Sequence, residues 1–357
     1  MRRSHFDEFR PVCPLCARSG QQSLLTLGAV HRAEDEGAEI VDAILGCPRA
    51  GCSREYPVLD GIPLIVVDVR RLLSERAFEL LLRDDLSPSL ESLLGDAIGP
   101  DSWFDGLRQM LSTYGWDAYA DLDPSEDPSS REKSGAAARC LERLEALAGE
   151  PRGEVARAFD VGCGAGRTAF ALAQRHPSAL VLGVDLHLGL LRLARDAARG
   201  RVSYPRRRIG VVYDRRTFDV RLDGAARVDF WACDALALPF ADATADHALA
   251  LNVLDTVPEP PALLRSLARV LRPGASLLLG TPFDWATRAT PLEQWIGGHS
   301  QRGPDEGSAI GRFRTLLGGD VPLATLAEDP SFPWHTRVHE RATMQYLAYL
   351  VALQRQS

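Results

Sequence analysis

No apolar run in this 357-residue chain reaches the roughly 18 to 20 residues that a membrane-spanning helix needs. The opening stretch, MRRSHFDEFRPVCPLC, carries basic side chains but lacks the apolar core of a secretory signal. The expected compartment is therefore the cytoplasm. An excess of positive charge is also missing. Net charge is −7, which weighs against a partner that binds phosphate backbones through a concentrated basic surface; a local basic patch stays open. There are no internal repeats and no low-complexity tracts. Seven cysteines, an odd count without a secretory leader, do not suggest a disulfide framework. What remains is ordinary for a globular chain, with 45% apolar and 25% charged residues.

Four of the cysteines lie early, as two close pairs, Cys13-Pro-Leu-Cys16 and Cys47-Pro-Arg-Ala-Gly-Cys52. Four thiolates can close a tetrahedral structural zinc site with no open position for catalysis. The bland alternative is four unrelated free thiols. His5 and His31 are possible spare ligands, though a solvated loop suits each better. The pairs bracket strand-like runs and turn residues, with EIVDAILGC between them and GIPLIVV after the second. The segment YPVLDGIPLIV resembles the end of a zinc ribbon, that of the small activator subunit of translation-related methyltransferases, over roughly residues 11–67. The resemblance implies a structural module that props a partner domain.

The chain divides into three parts: residues 1–70, 71–134 and 135–357. The middle part reads as helical, with apolar residues at helical spacing in RLLSERAFELLLRDD. It also holds the aromatics Tyr114, Trp116 and Tyr119, which either cover a site or simply pack. The polar segment DLDPSEDPSSREKSG is the best linker candidate. After it, strands alternate with helices, which predicts an α/β fold with a parallel sheet and helices on both faces.

Phe159 to Arg167, FDVGCGAGR, follows an apolar strand and opens a helix. Glycines belong where the backbone turns tightly and a ligand approaches it. A dinucleotide turn would place its third glycine at 167, but that position is Arg167 and the glycine is Gly166. A P-loop lysine is absent as well. The D-x-G-x-G-x-G pattern of Asp160, Gly162, Gly164 and Gly166 is similar to the first motif of class I S-adenosylmethionine methyltransferases. Asp185, with Leu186 after it, ends the next strand about twenty residues on, where an acid can accept from ribose hydroxyls. Asp234, followed by Ala235, ends the third strand; the resemblance places both by the adenine. Arg167 faces either the methionine carboxylate of that cofactor or a protein carboxylate.

The acceptor side is read from Asn252-Val-Leu-Asp255, TPFDW at 281–285, the Thr-Pro stretch, Trp295-Ile-Gly-Gly and the tail. In order, over about residues 158–355, these resemble the methyltransferase domain of ovothiol synthase. The resemblance implies N-methylation of the imidazole of a small histidine derivative. It departs from that family in two ways: a zinc-ribbon-like module stands in place of an iron-dependent sulfoxide synthase, and Gly164 occupies a position often not glycine. The heteroatom on the ring, sulfur or selenium, stays open. Candidate catalytic residues are Asn252, which also neighbours the cofactor, Asp255 and Asp284. Phe283 and Trp285 are placed as a ring sandwich, with Tyr114 and Tyr213 as further substrate contacts. Each has a plain alternative: Asp255 as a turn cap, Asp284 as a solvated turn residue, Trp285 as core. Arg337 or Arg341 could clamp a substrate carboxylate or form surface salt bridges.

The insert YPRRRIGVVYDRRTFDVRL is basic and alternates like a hairpin, either solvated, a lid, or a surface for RNA. That last option keeps a rival function alive. Zinc ribbons precede class I domains in rRNA guanine methyltransferases. Net acidity and the absence of an Asn-Pro-Pro-Tyr motif count against it.

Overall fold

The computed structural model describes residues 1–357 apart from 84, 85, 152, 304, 318 and 320. Among the described residues, thirteen strands carry the architecture. The first four are β1 (Thr26–Glu34), β2 (Glu39–Gly46), β3 (Glu55–Leu59) and β4 (Ile62–Ile65); then come β5 (Arg157–Val161), β6 (Leu180–Asp185), β7 (Arg201–Ile209), β8 (Val212–Asp219) and β9 (Val228–Cys233). The last are β10 (Ala245–Leu251), β11 (Leu271–Thr281), β12 (Leu323–His339) and β13 (Ala342–Arg355).

Eleven strands form one sheet in the order β1-β2-β3-β4-β9-β6-β5-β10-β11-β13-β12, and β7 and β8 form a separate hairpin. Strands β9, β6, β5, β10 and β11 are parallel, and a final antiparallel hairpin, β12–β13, pairs with β11. Numbering the parallel strands by sequence gives 3-2-1-4-5, the doubly wound order whose ligands bind beyond the strand C-termini. The central strands are apolar because both faces are covered: β10 is buried at every residue. The expected mixed α/β, Rossmann-like fold is therefore the observed one.

The N-terminal part belongs to the same sheet. Leu64 and Ile65 of β4 pair with Ala232 and Cys233 of β9 in parallel. The first helix, Arg3–Phe9, lies against the central strands. The Phe9 ring sits 5.2 Å from Phe159 and 6.4 Å from Trp231. His5 is fully buried, with Nε2 3.0 Å from the Arg227 carbonyl and 3.2 Å from that of Val181. It is therefore neither a solvated loop residue nor a cysteine-site ligand.

The middle part holds helices at Val69–Leu81, Pro88–Ile98 and Trp103–Tyr119. Of the run read as one helix from Arg71, Asp84 and Asp85 lie outside the described residues. The linker reading of residues 121–135 fails. A short helix, Pro128–Lys133, forms there, and Asp123, Glu126 and Ser134 are buried. The reason is the basic hairpin next to it. Arg216 pairs with Asp123 at 2.6 Å, Arg206 with Glu126 at 2.6 Å, and Arg215 with Glu91 at 2.9 Å. Acidic loop and basic hairpin neutralise one another, so those arginines do not form an open basic surface.

Candidate functional site

The turn after β5 shows what its glycines are for. Gly162, Gly164 and Gly166 have φ of 74°, 51° and 84°, a region that side chains disfavour. A Cβ on Gly162 would come within 2.1 Å of Val253 Cγ2. Gly164 differs: its nearest neighbour would be Tyr114 Cδ1 at 3.7 Å, so its bare face opens on a cleft under that ring. Asp185 is locked across the turn. Its Oδ2 accepts from the Gly164 N–H at 2.9 Å, and Oδ1 accepts from Leu186 at 2.7 Å and His187 at 2.9 Å. A carboxylate has about four lone-pair directions, so a further donor can still be accepted. On the next strand, Asp234 Oδ1 accepts from the Leu236 N–H at 2.9 Å and caps the turn Ala235–Ala237.

Two of the expected cofactor contacts are committed within the chain. Asp160 is 1% exposed and accepts from the Thr168 hydroxyl at 2.6 Å. Burial pushes its carboxyl up to about 7 despite that bond. It supports the turn from inside the core. Arg167 donates to Asp121 at 2.8 Å and to the Ala118 carbonyl at 3.3 Å. Its guanidinium thus serves a protein carboxylate.

The residues expected on the acceptor side come together where β10 and β11 end, with Leu251 opposite Gly280. Asn252 follows with φ 54° and donates its N–H to the Gly280 carbonyl at 2.8 Å. Phe283 has φ 53°, a costly conformation for an aromatic and of the kind that clusters at functional sites. Asp255 is 3% exposed, and its Oδ2 accepts from the Asp284 N–H at 2.7 Å. The bond ties two strand-end loops together, which is more than a local turn cap. Burial raises the Asp255 carboxyl above the usual carboxylate range. Two acceptor atoms here are buried without partners among the described residues, Asn252 Oδ1 and Asp255 Oδ1.

Tyr114 joins the two halves. It is 44% exposed, but crowding of its phenol by the surrounding protein, followed by the charges of Asp185 and Asp255, pushes that group up to about 12. Tyr346 is likewise pushed up to about 12, by burial first and then by the charge of the exposed Asp284. Sequence reasoning missed Tyr346. It lies on β13 opposite Trp334, in a tail whose strand or helix character was undecided. Only the pairing of β12 with β13 brings it to the site. Trp116 and Tyr119 are buried. Tyr119 donates to the Ala165 carbonyl at 2.6 Å and so holds the glycine turn.

Three expectations are corrected. Phe283 and Trp285 cannot sandwich a ring: their centroids are 6.2 Å apart at 40°, whereas an intervening ring needs about 7 Å between parallel faces, two contacts of ~3.5 Å. Instead Phe283 stacks on Tyr349 at 5.8 Å and Trp285 on Trp295 at 6.1 Å. Tyr213 is elsewhere. Its hydroxyl donates to Asp105 at 2.9 Å, and its ring lies 4.2 Å from the Arg108 guanidinium. Asp105 is nine residues before Tyr114 on one helix, roughly 13 Å along its axis. Arg337 is not a surface residue, being 4% exposed, whereas Arg341 is exposed.

The four N-terminal cysteines come together. Cys13 and Cys52 Sγ are 3.7 Å apart, Cys16 and Cys47 Sγ 3.8 Å, and all four lie within 4.8 Å of one another. Bonds of about 2.3 Å to a tetrahedral zinc imply sulfur separations of about 3.8 Å, so this donor set fits the ion.

Comparison with known proteins agrees with the cofactor cleft. Residues 159–279 match the family model described as a methyltransferase domain. The methyltransferase GfsG of Streptomyces halstedii is 32% identical over 191 residues, 51% of this chain and 57% of that protein. The 27-O-demethylrifamycin SV methyltransferase of Amycolatopsis mediterranei is 30% identical over 176 residues, 46% of this chain and 56% of that one. A solved SAM-dependent methyltransferase from Methanosarcina mazei is 22% identical, with a TM-score of 0.37, over 57% of this chain and 93% of that one. The chain spans about half the length of the curated relatives it matches. Strand order, glycine turn, strand-end acids and family match agree: the chain carries a class I, S-adenosylmethionine-dependent methyltransferase domain.

Proposed function

We propose that this protein is an S-adenosylmethionine-dependent N-methyltransferase acting on the imidazole ring of a small histidine derivative bearing a thiol or selenol. The observation that carries this reading is the pair of buried, unpartnered acceptors, Asn252 Oδ1 and Asp255 Oδ1. Buried acceptors without partners are costly, and a ligand that presents N–H groups relieves both. An imidazole whose N–H is accepted by Asp255 is fixed in one tautomer, with its other nitrogen carrying the lone pair. The likeness of TPFDW through WIGG to the ovothiol synthase methyltransferase domain supports the same acceptor.

The methyl donor supplies an electrophilic methyl group on a sulfonium. Asp185 would take its ribose hydroxyls and Asp234 its adenine, while bare Gly164 permits close approach. The task of the protein is alignment in a water-poor cleft, worth up to about 7 to 11 kcal/mol in well-oriented reactions. Tyr114 stands between donor and acceptor walls. A zinc ion held by Cys13, Cys16, Cys47 and Cys52 would be structural, since four thiolates leave no open position.

A second reading has its own support. Relatives named for O-methyl transfer and the raised pKa of Asp255 suit a hydroxyl acceptor that gives its proton to a carboxylate. The test is incubation with S-adenosylmethionine and, separately, histidine, thiol- and selenol-bearing histidines, hydroxylated small molecules and RNA, with detection of a one-CH₂ mass gain. Methylation of a ring nitrogen is the expected result. Transfer only to hydroxyls, or only to RNA, overturns the proposal.

A further inference from the structure

A second cluster of potential ligands lies far from the cleft. Glu145, on the helix Ala136–Ala148, meets His176 at the end of the helix Arg167–Arg175 and His247 on β10. All three are buried, at 6%, 8% and 1% exposure. His176 Nε2 is 3.1 Å and His247 Nε2 3.3 Å from the same oxygen, Glu145 Oε1. His247 precedes Asn252 by five residues, roughly 16 Å along the strand. The cluster is therefore separate from methyl transfer.

Hydrogen bonding among the three does not account for the arrangement. Both ring nitrogens of His247 and Glu145 Oε2 are buried without a hydrogen-bond partner. His247 Nε2 is close to the carboxylate but not aligned to donate to it. A cation between the three answers this point. Bonds of about 2.0 to 2.1 Å to a tetrahedral zinc-type ion give ligand separations of about 3.3 Å, close to those seen. The donor set, two imidazoles and one carboxylate, suits a divalent first-row transition ion. A groove lined by Leu141, Glu145, Ala171 and Gln174 gives an entry path.

We propose that Glu145, His176 and His247 form a second metal site, for a divalent zinc-type ion, clamping two helices to the central strand. It is independent of the cysteine cluster and of the acceptor assignment. The probe is Co²⁺ added to the full-length protein, because cobalt reports its ligands by colour. The expected result is a visible absorption free of thiolate charge transfer, distinct from any signal of the cysteine site. His247→Asn and Glu145→Gln should weaken that band's affinity at least tenfold and leave the thiolate band unchanged. No thiolate-free cobalt band in the wild-type protein overturns the proposal, as does a band that survives both substitutions. Should either variant fold poorly, X-ray absorption on the cobalt-loaded wild type decides: two imidazoles per thiolate-free cobalt support the site, and none overturns it.

Discussion

The loop–hairpin region and the strand-end cleft are both rich in charged and polar side chains, and they treat them oppositely. Around the hairpin, Asp123, Glu126 and Glu91 each meet an arginine. In the cleft, Asn252 and Asp255 keep oxygens with no partner, and Asn252 and Phe283 hold positive φ. The first region pairs its charges within the chain, though Glu126 Oε2 and Arg206 Nε lack partners among the described residues; the second leaves oxygens unpaired in a strained backbone. A motif count ranks the five arginines of the hairpin as the more suggestive signal. Partner accounting reverses that ranking, because unspent polar atoms in a strained backbone are available to a ligand.

That contrast can be broken by experiment. The largest effect on stability is expected from Arg216→Ala, which leaves buried Asp123 unpaired and should cost about 3 kcal/mol or more, read by urea denaturation with the donor cleft intact. The same pair predicts a pH dependence. Burial opposes the charge of Asp123, but bonds from Ser125 and Arg216 outweigh it and hold its carboxyl below the usual value. Its stabilisation is thus fully present above the unfolded value of about 3.9 and is lost as pH falls through the lower folded value. Arg216→Ala should flatten that acid limb.

In the cleft, Asp255→Asn should lower kcat/KM by about 100-fold, the scale of losing an acid–base or orienting group, while binding of S-adenosylmethionine changes little. The acid limb of the wild-type profile should lie above the ordinary carboxylate range, because Asp255 must lose a proton whose pKa is raised. Equal loss of donor binding would make Asp255 a scaffold residue like Asp123. Asp284→Asn and Trp285→Ala should raise the acceptor KM by about tenfold or less, since each touches the acceptor wall without being buried in it. The smallest effect is expected from Arg207→Ala: among the described residues its half-buried side chain donates just to the Gly210 carbonyl, and a surface substitution away from buried pairs stays within about 0.5 kcal/mol.

Much of this was legible in the residues. The α/β alternation and the glycine turn with its strand-end acids were read locally, since each depends on neighbours a few residues away. The cysteine pairs are short-range as well. What failed was long-range. Nothing near Asp123 says that it will meet Arg216 across 93 residues, so a Pro- and Ser-rich acidic stretch reads as a linker. Arg167 looked ready for a cofactor until Asp121 claimed it. Phe283 and Trp285 are two residues apart, which in an extended strand puts both rings on one face; the positive φ at Phe283 breaks that geometry. Tyr346 became visible only through the register of β13 against β12.

The junction of β4 with β9 bears on how the molecule survives on its own. Without β4, β9 would be a bare sheet margin of six fully buried residues, Val228–Cys233, offering unpaired backbone groups to any passing strand. The N-terminal strands close that margin beside Asp234. They should thus guard against self-association. Mutations that unseat the cysteine cluster should therefore appear first as precipitation, with impaired methyl transfer following from it.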